Sequence, residues 1–326
     1  MSAAARQSLG RQAFLWACRL DVAVRKPGNV SLASPGHGMQ AAQFLRSAEV
    51  AAGPLFTAGQ PVGARIEAAV VATRLAVGCN TNLGILLLGA PLAVAFERCA
   101  GGGPHALAAA CQDVLASLDV EDARAAYRGI ALANPGGLGR VGAQDVAQAP
   151  TIDLRAAMRL AAERDSLARQ YASGYADIFG GGLAALAAPS ASLASAVQAV
   201  FLSFLASWPD SHIVRKLGSG AAQTVTDEAC LWRDRLRSDP AAANGGAFAA
   251  WDERLKALAI NPGTSADLTV CSLFAAALSK HELIGTVATQ PWHGMCIQSG
   301  DIGLFPTSDL EGTHPHGQLR STSKES

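Results

Sequence analysis

Patterns typical of β-strands are nearly absent from this chain, and no other feature restricts its fold as strongly. The sequence has no run of alternating β-branched and aromatic residues and no hairpin built on Asn-Gly, whereas apolar residues recur at helical spacing. We therefore predict an all-α fold, a single large multi-helix domain with a central pocket formed by inter-helix loops. The predicted helices cover about 5–24, 39–57, 63–77, 82–99, 104–117, 120–133, 153–172, 184–207, 211–236, 241–258 and 265–283.

No repeat of fixed period and no linker divides the chain. Of the 326 residues, 50% are hydrophobic and 16% are charged, which is enough apolar material for a sizeable core. We expect one all-helical domain over residues 1–286 and a polar C-terminal tail over residues 287–326 that is extended or mobile.

The charge balance and the cysteines restrict the partners and the compartment. Lys and Arg together number 26, as do Asp and Glu, so no global basic field attracts nucleic acid or a membrane surface. The 7 cysteines are scattered and never spaced C-x-x-C, which favours a reducing, cytoplasmic compartment without disulfides. Residues 75–96 and 178–209 carry no charge, but small and polar residues interrupt them, so we predict core helices rather than membrane spans.

Small polar residues gather in five segments between the predicted helices. These segments are KPGNVSLASPGHGM (26–39), GCNTNLG (78–84), NPGGLG (134–139), WPDSHIVRKLGSG (208–220) and NPGTSADL (261–268). Each segment alone can be a turn or a helix cap. Together they indicate several helix N-termini whose free N–H groups surround a phosphate chain, with cations from Lys26, Arg140, Arg215 and Lys216.

Four side chains near these segments can carry chemistry. Asp165 stands four residues before Arg169, a spacing that also fits a surface ion pair on one helix. Asp210 and Asp267 each stand near a predicted helix start, where a plain cap is the alternative to a Mg²⁺ ligand. His37 lies between two glycines in a loop and is a candidate acid–base group.

The same segments, in this order, resemble the triphosphoribosyl-dephospho-CoA synthase family. The matching motifs are KPGNVS, GHGM, FLRSAE, NTNLG, ANPGGLG, RDSLARQYASGY, PDSHIVRKLG and NPGTSADL, which span about residues 20–285. The resemblance implies an all-helical catalytic domain over residues 1–286 that moves the 5-triphosphoribosyl group of ATP to the 2′-hydroxyl of 3′-dephospho-CoA and releases adenine. The product is the precursor of the prosthetic group of citrate lyase or malonate decarboxylase acyl carrier proteins.

The resemblance also implies roles for residues around a Mg²⁺-bound ATP. The implied catalytic residues are Asp165, Asp267, His37 and His212, and the implied metal ligands are Asp165, Asp210 and Asp267. The implied nucleotide-binding residues are Lys26, Gly28, Asn29, Ser31, Asn80, Thr81, Asn82, Arg169, Lys216, Asn261, Gly263 and Ser265. The expected substrates are small molecules, ATP and dephospho-CoA or another phosphorylated acceptor. The sequence leaves open whether the enzyme is a homodimer.

Three departures from the family pattern lie in the same loops. Gly38 and Met39 follow His37 where relatives tend to have an acidic residue, and Asn82-Leu83 replaces a His-Lys pair. The stretch DSHIVRKLG replaces a more Asn-Leu-like one. One alternative is therefore a divergent member that uses another phosphorylated acceptor in the biosynthesis of a methanopterin-type one-carbon carrier. Another, from a different class, is a non-catalytic nucleotide-binding protein.

Overall fold

The computed structural model describes residues 1–99, 102–135, 146, 148–280 and 283. These residues form 14 α-helices, a π-helical turn at Ile178–Gly182 and a 3₁₀ turn at Pro240–Asn244, without any β-strand, so the all-α prediction is confirmed. The helices are α1 (Ala3–Ala23), α2 (Ala41–Leu55), α3 (Val62–Val77), α4 (Leu83–Arg98), α5 (Pro104–Ala116), α6 (Val120–Ala133), α7 (Leu154–Arg159), α8 (Ser166–Ser173), α9 (Leu183–Ala187), α10 (Leu193–Leu205), α11 (Ser211–Leu217), α12 (Ser219–Ser238), α13 (Gly246–Ala257) and α14 (Gly263–Ser279). The predicted tail over 287–326 lies outside the described residues. So do residues 136–139 of the third polar segment and the neighbouring Arg140.

Several long predicted helices are divided, each at a residue that interrupts helical backbone. The predicted helix 153–172 becomes α7 and α8, because Asp165 is extended and caps the start of α8. The predicted helix 211–236 breaks at Gly218, where φ is 88°, a value that glycine tolerates. The predicted helix 184–207 breaks at Ala188, which is extended because Pro189 follows it.

Helices α4 and α14 form the centre of the domain. α4 buries every residue from Leu83 to Phe96, and α14 is buried along most of its length. A helix that is apolar on all sides must be enclosed, and α1, α5 and α10 pack around this pair. The charge-free stretch 75–96 therefore contains a core helix, as predicted. None of the described helices has the length and apolar character needed to cross a membrane.

A smaller core lies beside this centre, between α10, α12 and α13, where Trp232 stacks on Trp251. The loop after α1 is fastened to α13, since the N–H of Gly28 donates to the buried carboxylate of Asp252 at 2.8 Å. Gly28 also lies against the segment before α14, where an ideal Cβ on it would come within 2.8 Å of the Pro262 ring. These contacts bring the first polar segment to the start of α14.

Candidate active site

A cavity of about 740 Å³ opens where the five polar segments come together. The first segment contributes Asn29 and His37 to its lining, and the others contribute Asn80, Thr81, Asn82, Asn134, His212, Arg215, Lys216, Asn261, Gly263, Thr264 and Asp267. Asp165 lines it as well. The segments are distant in sequence, so it is the packing of the helices that places them around one space.

Helices α4, α8, α11 and α14 all begin at this cavity, and Gly84, Leu167, His212 and Thr264 from their first turns line it. The first N–H groups of a helix lack partners within the helix and carry the positive end of its dipole. In the two central helices, α4 and α14, the N-cap residue makes no side-chain capping bond. Their N-termini therefore favour an anion with several oxygen atoms, such as a polyphosphate.

Asp267, in the second turn of α14, contributes its carboxylate to the lining. Among the described residues we find neither a hydrogen-bond donor nor an ion-pair partner for it. Burial raises the pKa of Asp267 well above its ordinary value, and the carboxylates of Asp21 and Asp210 act in the same direction, against Arg215. Helices α4 and α14 approach each other closely at this point. An ideal Cβ placed on Gly84 would lie only 2.0 Å from Asp267 Oδ2, so only glycine fits there without a shift.

Asp210 is fully buried and joins the starts of α11 and α14. Its Oδ1 accepts from the N–H groups of His212 at 2.9 Å and Ile213 at 3.2 Å. Its Oδ2 accepts from the N–H of Ser265 at 2.7 Å and from the Ser265 hydroxyl at 2.8 Å. Burial raises the pKa of Asp210 above its ordinary value, although these hydrogen bonds oppose the shift. Asp210 therefore fixes the position of the start of α11 relative to the start of α14, although it does not line the cavity itself.

Asp165 caps α8 and pairs across the cavity wall with α11. Its Oδ1 accepts from the N–H of Leu167 at 2.8 Å, and its Oδ2 lies 3.2 Å from Nη1 of Arg215. The alternative interpretation, a surface ion pair between Asp165 and Arg169, is not what the structure contains, because Asp165 pairs with Arg215. Arg169 instead lies 3.8 Å from the centre of the Trp208 ring and bonds Asp177 at 3.0 Å. Packing against the indole turns the guanidinium away from the cap.

The first and last polar segments meet through two asparagines. Nδ2 of Asn29 donates to Oδ1 of Asn261 at 3.0 Å, and Oδ1 of Asn29 is buried without a hydrogen-bond partner among the described residues. His37 has a φ of 56°, and its Nε2 lies 2.7 Å from the carbonyl oxygen of Gly28. With Nε2–H donating to that carbonyl, Nδ1 is the ring nitrogen that retains a lone pair.

His212 is a neutral imidazole at pH 7. Burial lowers its pKa from 6.5 to about 3, and the positive charges of Arg215 and Lys216 act in the same direction. Its Nε2 is buried without a partner among the described residues. Gly263 packs against this ring, since an ideal Cβ there would lie 3.0 Å from Nδ1. The ring can therefore exchange a hydrogen bond with a ligand in the cavity.

The segment before α4 contributes three polar residues with different surroundings. Asn80 accepts from the N–H of Leu83 at 3.1 Å, and Thr81 donates to the hydroxyl of Ser47 at 2.6 Å. Asn82 is buried, and its Nδ2 has no partner among the described residues. A buried amide donor without a partner is costly, so a ligand atom at this place is favoured.

Some of the predicted residues lie behind the lining, namely Lys26, Gly28, Ser31, Arg169, Asp210 and Ser265. Gly28, Arg169, Asp210 and Ser265 hold the loops and helix starts through the contacts described above. Lys26 pairs with Asp21 at 3.0 Å, and the Ser31 hydroxyl accepts from the N–H of Ser34 at 3.2 Å.

Sequence reasoning missed other residues that line the cavity. Asp21, near the end of α1, is 4% exposed and lines the cavity, as does Arg164 just before α8. The sequence signal that could have identified Asp21 is a carboxylate within the apolar pattern of the first predicted helix. An apolar wall comes from α6, α7 and the residues after it, with Tyr127, Ile130, Ala131, Ala157, Met158 and Leu160.

The described part of the chain holds no group of three or more His, Cys, Asp or Glu side chains that can bind a metal ion. The three aspartates predicted as metal ligands thus do not form a complete cage, because Asp165 and Asp210 bind helix N–H groups. Mg²⁺ usually takes one or two carboxylates together with substrate phosphates and water. The free carboxylate of Asp267, beside helix N-termini suited to phosphate, fits this pattern.

A family model described as ATP:dephospho-CoA triphosphoribosyl transferase matches residues 8–285. Among solved structures, the chain is similar to a protein from Archaeoglobus fulgidus that is assigned as a triphosphoribosyl-dephospho-CoA synthase. The TM-score is 0.56 at 25% sequence identity, and the match covers 73% of this chain and 98% of that chain. No curated protein matches the chain significantly.

Proposed function

The chain belongs to the ATP:dephospho-CoA triphosphoribosyl transferase family, and we propose that it moves the 5-triphosphoribosyl group of ATP to the 2′-hydroxyl of 3′-dephospho-CoA and releases adenine. One observation carries this proposal. The N-termini of α4 and α14, whose N-cap residues make no side-chain capping bond, and the free carboxylate of Asp267 share one cavity with two histidines. This combination suits a metal-bound polyphosphate next to groups that can exchange protons.

The reaction breaks the N-glycosidic bond between C1′ of the ribose and adenine and forms a bond between C1′ and the acceptor oxygen. The triphosphate stays intact. The acceptor hydroxyl loses one proton and the departing adenine gains one, so atoms and charge balance. Positive charge develops at C1′ as the old bond breaks, and a carboxylate facing it lowers the barrier. Asp165, which lines the cavity, is our candidate for this role.

The N–H groups of α4 and α14 would bind the triphosphate, with hydrogen bonds from Asn80, Thr81 and Asn82 near them. Asp267 would hold Mg²⁺, which when bound neutralises phosphate charge. Nδ1 of His37 accepts the proton of the acceptor hydroxyl, because Nε2–H is engaged by the Gly28 carbonyl. The neutral ring of His212 bonds the adenine or the ribose.

The identity of the acceptor is the least constrained part of the proposal. Met39 and Leu83, which depart from the family pattern, both line the cavity. This placement supports a second candidate, in which the same transfer goes to another phosphorylated acceptor of one-carbon carrier biosynthesis. The apolar wall from α6 and α7 would then contact the altered acceptor.

The proposal is tested by mass-spectrometric detection of free adenine after incubation with Mg-ATP, with and without 3′-dephospho-CoA. We expect adenine only when an acceptor is present. Adenine release with a different phosphorylated acceptor alone supports the second candidate. ADP or AMP as the product, or Mg-ATP binding without any turnover across the acceptors, contradicts the proposed reaction. Asp122→Asn, a change to a buried capping carboxylate outside the cavity, is the control for Asp267→Asn. It should retain adenine release, although weaker bonds to the N–H groups of Gly63 and Asp119 can lower the melting temperature.

A further inference from the structure

Asp21 is a buried carboxylate with one oxygen left for the cavity. Its Oδ1 is buried and lies 3.0 Å from Nζ of Lys26. For Oδ2 we find no donor or cation among the described residues, and Asp21 is part of the cavity lining. One oxygen is thus held by the protein, and the other is available to a ligand.

Lys26 is fully buried, lies behind the lining and also donates to the main-chain carbonyl of Asp21. A buried ammonium group is tolerated only when it is paired and hydrogen-bonded, so Lys26 and Asp21 depend on each other. Lys26 therefore cannot contact a ligand directly, and its effect on the site passes through Asp21.

Asp21, near the end of α1, and Asp267, of α14, both line the cavity, and these two helices pack against each other. Asp21 and Asp267 place two carboxylates, of which only the first is paired with the ammonium group of Lys26, next to helix N-termini that favour an anion. Carboxylates next to a polyphosphate repel it unless a divalent cation lies between them. The buried and unpartnered Oδ1 of Asn29 adds a third hard oxygen atom to the same lining.

We propose that Asp21 is a second carboxylate ligand, with Asp267, of the divalent cation that accompanies the nucleotide, and that Lys26 is its positioning residue. This inference rests on the proposed function, because that function brings a metal-bound triphosphate to the cavity. It replaces the predicted role of Lys26 as a direct phosphate ligand with an indirect one.

The test is calorimetric measurement of ATP affinity with and without Mg²⁺, in the absence of acceptor. We expect Mg²⁺ to tighten ATP binding by the native protein. In Asp21→Asn the tightening by Mg²⁺ falls by about tenfold or more, while metal-free ATP binds at least as well as before, because one repelling charge is gone. A Mg²⁺ effect equal to that of the native protein overturns the inference.

A second buried pair supplies the control for Lys26. Nζ of Lys256 lies 2.9 Å from Oδ2 of Asp252, and both side chains are nearly inaccessible and outside the lining. Lys26→Met and Lys256→Met should both lower the melting temperature, but only Lys26→Met should weaken the Mg²⁺ effect. Equal Mg²⁺ effects in the two variants contradict the positioning role. If either single variant does not fold, the double variant Asp21→Asn/Lys26→Met, which removes both members of the pair, should show the same loss of the Mg²⁺ effect, and a Mg²⁺ effect equal to that of the native protein overturns the inference. The readout is binding, so it remains valid if adenine release is not observed.

Discussion

Nη1 of Arg215 lies 3.2 Å from Oδ2 of Asp165, across the gap between α11 and α8. Both helices begin at the cavity, and this ion pair joins two parts of the chain that lie 50 residues apart in sequence. Since Asp165 also caps α8, the pair couples the start of one helix to the side of another. The wall of the site is thus held by polar contacts as well as by apolar packing.

Replacing Asp267 with Asn should abolish turnover without unfolding the protein. The carboxylate has no partner among the described residues, so the amide breaks no internal contact and removes repulsion from Asp21. We expect adenine release to fall by about 100-fold or more, with a melting temperature within about 4 °C of the native value. A large fall in melting temperature would assign Asp267 a structural role instead.

Replacing Asp210 with Ala should mainly lower the stability of the protein, whereas Asp267→Asn should mainly lower turnover. The change removes the acceptor that the N–H groups of His212, Ile213 and Ser265 share. The N–H groups of Ile213 and Ser265 lose their partner in a buried place, whereas that of His212 retains the Thr264 hydroxyl at 3.2 Å. We expect the free energy of unfolding in urea to fall by about 3–5 kcal/mol. A loss below about 1 kcal/mol would show that water replaces the carboxylate and that Asp210 does not join the two helices.

Two glycines of α4 provide a matched test of close approach to Asp267. An ideal Cβ on Gly84 would lie 2.0 Å from Asp267 Oδ2, whereas on Gly89 the nearest atom would be 3.8 Å away. Ala raises helix propensity by about 1 kcal/mol at either position. Gly89→Ala should therefore retain turnover, and Gly84→Ala should lose most of it because Asp267 is displaced. Equal activities of the two variants in the adenine assay would contradict this packing.

Stability should depend on pH through His212. Its pKa is 6.5 as an ordinary histidine and about 3 in the folded protein. Below pH 6.5 the unfolded chain takes up a proton that the folded protein does not, so stability falls as pH decreases towards 3. The slope for one proton is about 1.4 kcal/mol per pH unit. Urea unfolding of the native protein and of His212→Gln from pH 7 to pH 4 should show this additional slope only in the native protein. Parallel curves would mean that the ring is solvated.

Local sequence signals predicted one helix to the residue. The helix predicted at 120–133 is α6 at Val120–Ala133, because Asp119 and Asp122 form a capping box within four residues. The breaks at Asp165 and Gly218 were not predicted, because an apolar periodicity continues through both. Asp165 gains its partner from Arg215, and such contacts between distant segments leave no trace in a local pattern.

The candidate site was predictable at the level of loops but not of atoms. Pro-Gly and Asn-rich segments mark helix starts, so their meeting at one cavity follows from the pattern once the helices pack. Which carboxylate is free depends on tertiary contacts. Ser265 donates a hydrogen bond to the carboxylate of Asp210, and Arg215 donates one to Oδ2 of Asp165. Asp267 has no such partner among the described residues.

A crystal structure of the protein with Mg²⁺ and ATP, without acceptor, tests the central claim most directly. We predict phosphate oxygens within hydrogen-bond distance of the first-turn N–H groups of α4 and α14, and the metal ion bound to Asp267. A nucleotide bound outside the cavity, or one whose triphosphate lies along the apolar wall of α6 and α7 away from Asp267, would contradict the account.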